Sequence, residues 1–144
     1  MAGTNALGGV VVAQTVTAAV TAAVAAVVDS VVATVYVPNN CTILDVILTV
    51  TDMDTGATLA FDVGDSSGPA TSDDDRFIAA FSGQAAGSIR ASDSAGLLEG
   101  VYQYSHTKGT DDSQTEQAIE CTIQAAATTG VAGTVVMTVI HTAS

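Results

Sequence analysis

The chain has 144 residues, enough for one domain with a true core, yet its 48% hydrophobic content is mostly Val and Ala and only 4% is aromatic. Acidic residues number 15 against three bases (Arg76, Arg90 and Lys108), a formal net charge of −12. Three scattered bases cannot neutralise a phosphate backbone or an anionic lipid surface, which excludes nucleic acid and membrane as expected partners.

Residues 1–28 carry no charge, and 10–28 are almost all Val, Ala and Thr. A membrane span needs about 20 apolar residues. This run lacks Leu, Ile and Phe, is interrupted by Thr, and has no flanking Lys or Arg, so it reads as neither a span nor a signal peptide. It is expected to be an arm, extended or loosely structured, with a short helix as the alternative. Val16, Val20, Val24 and Val28 stand at i, i+4 spacing, which suits a helix face. Val and Thr, however, are weak helix formers. An apolar arm that a small domain cannot bury needs a partner surface. Val10, Val11, Val12, Val16, Val20 and Val24 are therefore candidate partner contacts.

From residue 29 to 144 the pattern is that of one β domain. Residues 30–37 end at the turn Pro38-Asn39-Asn40. Residues 41–51 alternate, with Leu44, Val46, Leu48 and Val50 on one face and Ile43, Asp45, Ile47 and Thr49 on the other. Asp52-Met53-Asp54-Thr55-Gly56 reads as a hairpin loop, and 57–63 as the returning strand with Leu59, Phe61 and Val63 inward. Shorter strands are expected at 76–82, around Ile89, and at 100–106. Residues 117–126 alternate Ile119, Cys121, Ile123 and Ala125 against Glu120, Thr122 and Gln124. Thr128-Thr129-Gly130 turns the chain into a last strand at 133–142. Seven or eight short strands between turn signals, with no long helical pattern, predict an all-β antiparallel sandwich, with jelly-roll connections as one way to join the strands.

The order Pro38-Asn39-Asn40-Cys41-Thr42-Ile43-Leu44-Asp45-Val46-Ile47-Leu48 leads to Asp54-Thr55-Gly56. Phe61-Asp62-Val63-Gly64-Asp65 and Asp75-Arg76-Phe77-Ile78 follow. This order resembles the capsid decoration, or cementing, proteins of tailed bacteriophages, over roughly residues 30–142. The resemblance implies a β-sandwich that binds the outer surface of a capsid, as a dimer or trimer, and clamps neighbouring subunits of the major capsid protein. It implies a virion location after a stay in the host cytoplasm, no cofactor and no catalytic residues.

Other readings are weaker. Asp54-Thr55-Gly56-Ala57 matches the active-site sequence of retroviral-type aspartic proteases, whose two carboxylates share a proton. No flap or later apolar-apolar-Gly partner accompanies it, and a turn explains the triplet. Asp52, Asp54, Asp62 and Asp65, with the run 73–75, are candidate Ca²⁺ ligands, but the Glu that would close such a loop is missing and solvated loops are preferred. His106 and His141 are isolated from other metal ligands. Arg76, placed after three aspartates, reads first as a loop staple and second as a contact to a partner. Cys41 and Cys121 read as buried thiols, with one disulfide as the alternative. A carbohydrate-binding or adhesin-like module would rest on Tyr36, Tyr102 and Tyr104 in a chain without Trp.

Overall fold

The computed structural model describes residues 10–38, 41–65, 73–93, 102–103 and 116–142, the pair 102–103 by its backbone. In chain order the elements are β1 (Val11–Val20), the single helical turn α1 (Ala22–Ala25), β2 (Val31–Pro38), β3 (Thr42–Val50), β4 (Ala60–Gly64), β5 (Ile78–Ser82), β6 (Gly87–Arg90), a 3-10 turn (Ala91–Asp93), β7 (Tyr102–Gln103), β8 (Glu116–Ala125) and β9 (Gly133–Thr142). All strand pairings are antiparallel. One sheet runs β1-β9-β3-β6, with β7 beside β6 on the same edge of β3, and the other runs β2-β8-β4-β5. The pairs β1 with β9, β2 with β8, β3 with β6 and β7, and β4 with β5 are those of one long antiparallel ribbon. Rolling that ribbon brings β9 onto β3 and β8 onto β4, which is jelly-roll connectivity. The sequence expectation of an all-β sandwich therefore holds.

The core lies between the sheets and is built from small side chains. Ala33, Val35 and Val37 come from β2, Ile119, Cys121 and Ile123 from β8, and Val135, Met137 and Val139 from β9. Phe61 and Phe77 are the two largest fully buried side chains among the described residues. Val, Ile and Thr fit such a pleated, half-buried surface because their branched side chains are already stiff at χ1.

Within residues 1–28, the stretch 11–20 is extended and pairs with β9 over ten residues without a register shift. Its alternation turns Val12, Gln14, Val16, Ala18 and Val20 toward the core side and Val11, Ala13, Thr15, Thr17 and Ala19 outward. The helical alternative is realised only in α1, where the Thr21 hydroxyl accepts the N–H of Val24 (3.2 Å) as an N-cap.

Two sequence expectations need correction. Residues 52–56 do not close a hairpin: β3 lies in one sheet and β4 in the other, so this turn carries the chain across the sandwich. Periodicity shows that a chain reverses but not which strand it then pairs with. The inward face of β3 also differs from strict alternation. The ladder with β9 shifts register between Ile43 and Asp45, and this bulge brings Ile43 into line with Val46, Leu48 and Val50 while Leu44 is left half-buried.

Candidate partner-binding surface

The connections fall into two sets, one at each end of the sandwich. At one end α1 and residues 26–30 link β1 to β2, residues 51–59 link β3 to β4, and residues 126–132 link β8 to β9. This end is knotted by Asp54, which is 1% exposed. Its Oδ1 accepts the N–H groups of Gly56 (2.8 Å) and Thr129 (2.9 Å). Its Oδ2 accepts those of Leu59 (3.0 Å), Thr58 (3.2 Å) and Thr128 (3.2 Å). The Thr58 hydroxyl donates to the Ala126 carbonyl (2.7 Å), and Val131 N–H donates to the Met53 carbonyl (3.0 Å). Burial works against ionising Asp54, but the backbone donors of Thr129, Gly56, Leu59 and Thr58 outweigh it and hold the carboxyl well below the usual aspartate range. The carboxylate of the Asp-Thr-Gly triplet is thus an acceptor for five backbone N–H groups, a structural role in a crossover turn.

The 126–132 loop is also bound to α1. Ala127 N–H donates to the Ala25 carbonyl (2.8 Å), and the backbone of Gly130 approaches Ala22 and Ala25 so closely that a Cβ there would meet the Ala22 carbonyl at 3.0 Å. Asp29, at φ 66°, turns the chain into β2 and donates its N–H to the Ile123 carbonyl (2.8 Å). The outer side of these segments exposes Val24, Val27, Val28, Val31 and Val131, at 37–54%. An exposed group of valines at one end of a small domain is a candidate docking surface.

The opposite end is acidic. Asp65 is fully buried, pairs with Arg76 Nε (2.8 Å) and accepts the N–H of Asp73 (2.9 Å). Asp65 N–H donates to the Asp73 carbonyl (2.8 Å) and Phe77 N–H to the Val63 carbonyl (2.9 Å), so the stem of this loop is closed by backbone bonds. Gly64 permits the closure: a Cβ there would collide with the backbone of Asp73 and Asp74. Among the described residues, Asp73, Asp74 and Asp75 are the one group of three carboxylates whose oxygens lie within 4.8 Å of one another. The Asp75 carboxyl is pushed up by its hydrogen bond to Asp73, then by burial and by the charges of Asp73, Asp62 and Asp74. Asp62 is pushed up by burial and by the charge of Asp74, against the N–H of Ala80 (2.7 Å), which its Oδ1 accepts.

Val10, Val11 and Val24 are exposed, Val12 and Val16 half-buried, and Val20 is a core residue at 2% exposure, because β1's alternation turns it inward. Val24 joins the valine group at the α1 end, whereas Val10 and Val11 stand at the far end of β1. Arg76 is held by Asp65. The four candidate cation ligands are spread over both ends: Asp52 accepts the N–H of Asp54 (3.3 Å), and Asp54, Asp62 and Asp65 are engaged as above. Cys41 and Cys121 are free buried thiols; burial pushes Cys41 up to about 11 and Cys121 further, the Asp62 charge adding to the latter. His141 sits in the core with Nε2 2.8 Å from Gln14 Oε1 and Nδ1 2.7 Å from the Thr142 carbonyl oxygen. Tyr36 is exposed, while the Tyr102 side chain, Tyr104 and His106 lie outside the described residues. Val131 was not singled out from the sequence: in isolation it is one valine in a Gly-rich turn, and only the pairing of β8 with β4 and of β9 with β3 brings it beside α1. No described helix is long and apolar enough to cross a membrane.

No protein-family model matches the chain, and no curated protein matches it. Two solved structures share its fold. A chain of the capsid of Ralstonia phage GP4 aligns with a TM-score of 0.68 at 23% identity, over 95% of this chain and 86% of that one. A chain of the cyanophage Pam1 capsid asymmetric unit aligns with a TM-score of 0.59 at 20% identity, over 95% and 87%. At these identities the likeness shows a common jelly-roll fold spanning nearly the whole chain.

Proposed function

We propose that this chain is a virion structural protein that binds the outer surface of a phage capsid and stabilises contacts between subunits of the major capsid protein. The observation that carries this reading is the fold likeness, over 95% of the chain, to chains from two phage capsids. The resemblance of residues 30–142 to cementing proteins supports it independently. The valine surface at the α1 end is the docking face in this reading, with Val24, Val27, Val28, Val31 and Val131 in contact with the capsid. The acidic end faces solvent and keeps free copies apart before assembly.

Half-exposed valines contribute on the order of 1 kcal/mol each when buried, before the cost of association is subtracted. One copy on one subunit would bind weakly. A clamp that touches two subunits, repeated over a lattice, gains from effective concentration. The test is co-sedimentation with the cognate capsid. A fixed saturating number of copies per capsid is expected, with lower occupancy for Val27→Asp and Val31→Asp and unchanged occupancy for Asp74→Asn. A protein that never co-sediments, or whose occupancy ignores both valine variants, would overturn this reading.

A further inference from the structure

Each sheet ends in strands whose outer sides have no partner strand among the described residues, and proteins normally blunt such edges. Three edges here are blunted. The β5 edge is interrupted by Ala80 at φ 51°, and its ladder with β4 shifts register between Phe61 and Val63. The β6 edge is four residues long and ends in Arg90. The β2 edge shifts register between Val31 and Ala33 and ends at Pro38, which has no N–H to donate. The β1 edge has none of these devices. It runs for ten residues with no charge, no proline and no register shift, and among the described residues nothing pairs with its outer side.

We propose that β1 pairs antiparallel with β1 of a second copy about a two-fold axis through Val16, joining the two β1-β9-β3-β6 sheets into one continuous sheet. The strand's outward face is self-complementary. With Val16 opposite Val16 of the second copy, Ala13 faces Ala19 and Thr15 faces Thr17, so the row Ala-Thr-Thr-Ala reads the same from either direction. Facing threonines are favourable cross-strand pairs, and β1 already uses one, Thr15 Oγ1 to Thr138 Oγ1 at 2.8 Å. Charge selects the same occupant. Two chains of net charge −12 repel wherever their acids meet, and β1 offers an approach without like charges opposite one another. An isologous contact of this kind closes on itself and does not propagate into a fibre. The proposal goes beyond capsid binding and stands whether or not that reading does.

The test is sedimentation velocity on the full chain together with directed cross-linking. The wild type is expected to sediment as a dimer of the 14.3 kDa chain. Thr17→Lys, at an exposed position, is expected to weaken the dimer at least about tenfold while leaving the circular dichroism spectrum unchanged. Thr15→Cys and Thr17→Cys chains are expected to form a disulfide-linked dimer when mixed and oxidised, and not when either is oxidised alone. A monomeric wild type, a dimer indifferent to Thr17→Lys, or cross-linking without regard to which variants are mixed would each overturn the proposal.

Discussion

Asp54 shows what a single carboxylate does in this fold. Five backbone N–H groups from two loops converge on its two oxygens, and an amide in its place would turn an NH2 toward donors that need an acceptor. Asp54→Asn is therefore expected to lower the melting temperature more than Asp52→Asn, whose side chain accepts one N–H at a solvent-exposed turn. The carboxylates also divide by sign. Asp54 is held below its ordinary value of 3.8, so its stabilisation is present above that value and is lost as pH falls through the lower folded one. Asp62 and Asp75 are raised, so protonating them favours the folded state: their stabilisation is complete below 3.8 and lost as pH rises through the folded values. Thermal melts across pH should show stability rising as neutral solution is made weakly acidic, then falling below 3.8. Asp62→Asn should flatten the rise and leave the fall; a flat wild-type profile would refute this division.

At the scale of the element, the instructive case is β3. Alternation in the sequence located the strand and both faces, but it assigned Leu44 to the core and Ile43 to the other side. The bulge between Ile43 and Asp45 reversed those two positions. Nothing in the residues announces it: the reason lies in the ladder with β9, where His141 pairs with Ile43 and Ile140 with Asp45. Asp45 at the bulge accepts the N–H of Val46 (2.9 Å) and of Ser92 (3.3 Å), and pairs with Arg90 (3.3 Å). It thereby ties the bulge to the turn after β6. The two readings of the strand differ in a measurable way. Ile43→Ala should cost about 2–5 kcal/mol in chemical denaturation, the range for a filled core position, and Leu44→Ala distinctly less. The opposite order would restore strict alternation. The same limit explains the turn at 52–56. Gly56 and Asp54 mark a reversal in the sequence, but the partner of the next strand is set by β8, more than fifty residues later. The valine group at the α1 end was legible in part, through Val24. Val131 joined it only through that long-range pairing.

For the whole molecule, the arrangement of charge along the sandwich matters more than its total. Among the described residues, the α1 end carries Asp29, Asp52 and the engaged Asp54, while the far end carries Asp65, Asp73, Asp74, Asp75 and Glu116 against Arg76, and Asp45 and Asp93 beside Arg90 where β6 ends. The two ends would dock by opposite physics. An apolar contact through the valines should hold or strengthen as salt rises, because screening removes repulsion between an acidic protein and its neighbours and leaves apolar burial intact. A contact through the charged end should weaken over the same range, since charge pairing is what screening removes. Occupancy on purified capsids, measured from low salt to about 0.5 M sodium chloride, separates the two. At that upper concentration the Debye length is below the 8 Å of physiological salt. Docking through the valine surface requires constant or rising occupancy. A steep fall with salt would move the contact to the acidic end and make Arg76, now held by Asp65, the residue to test next.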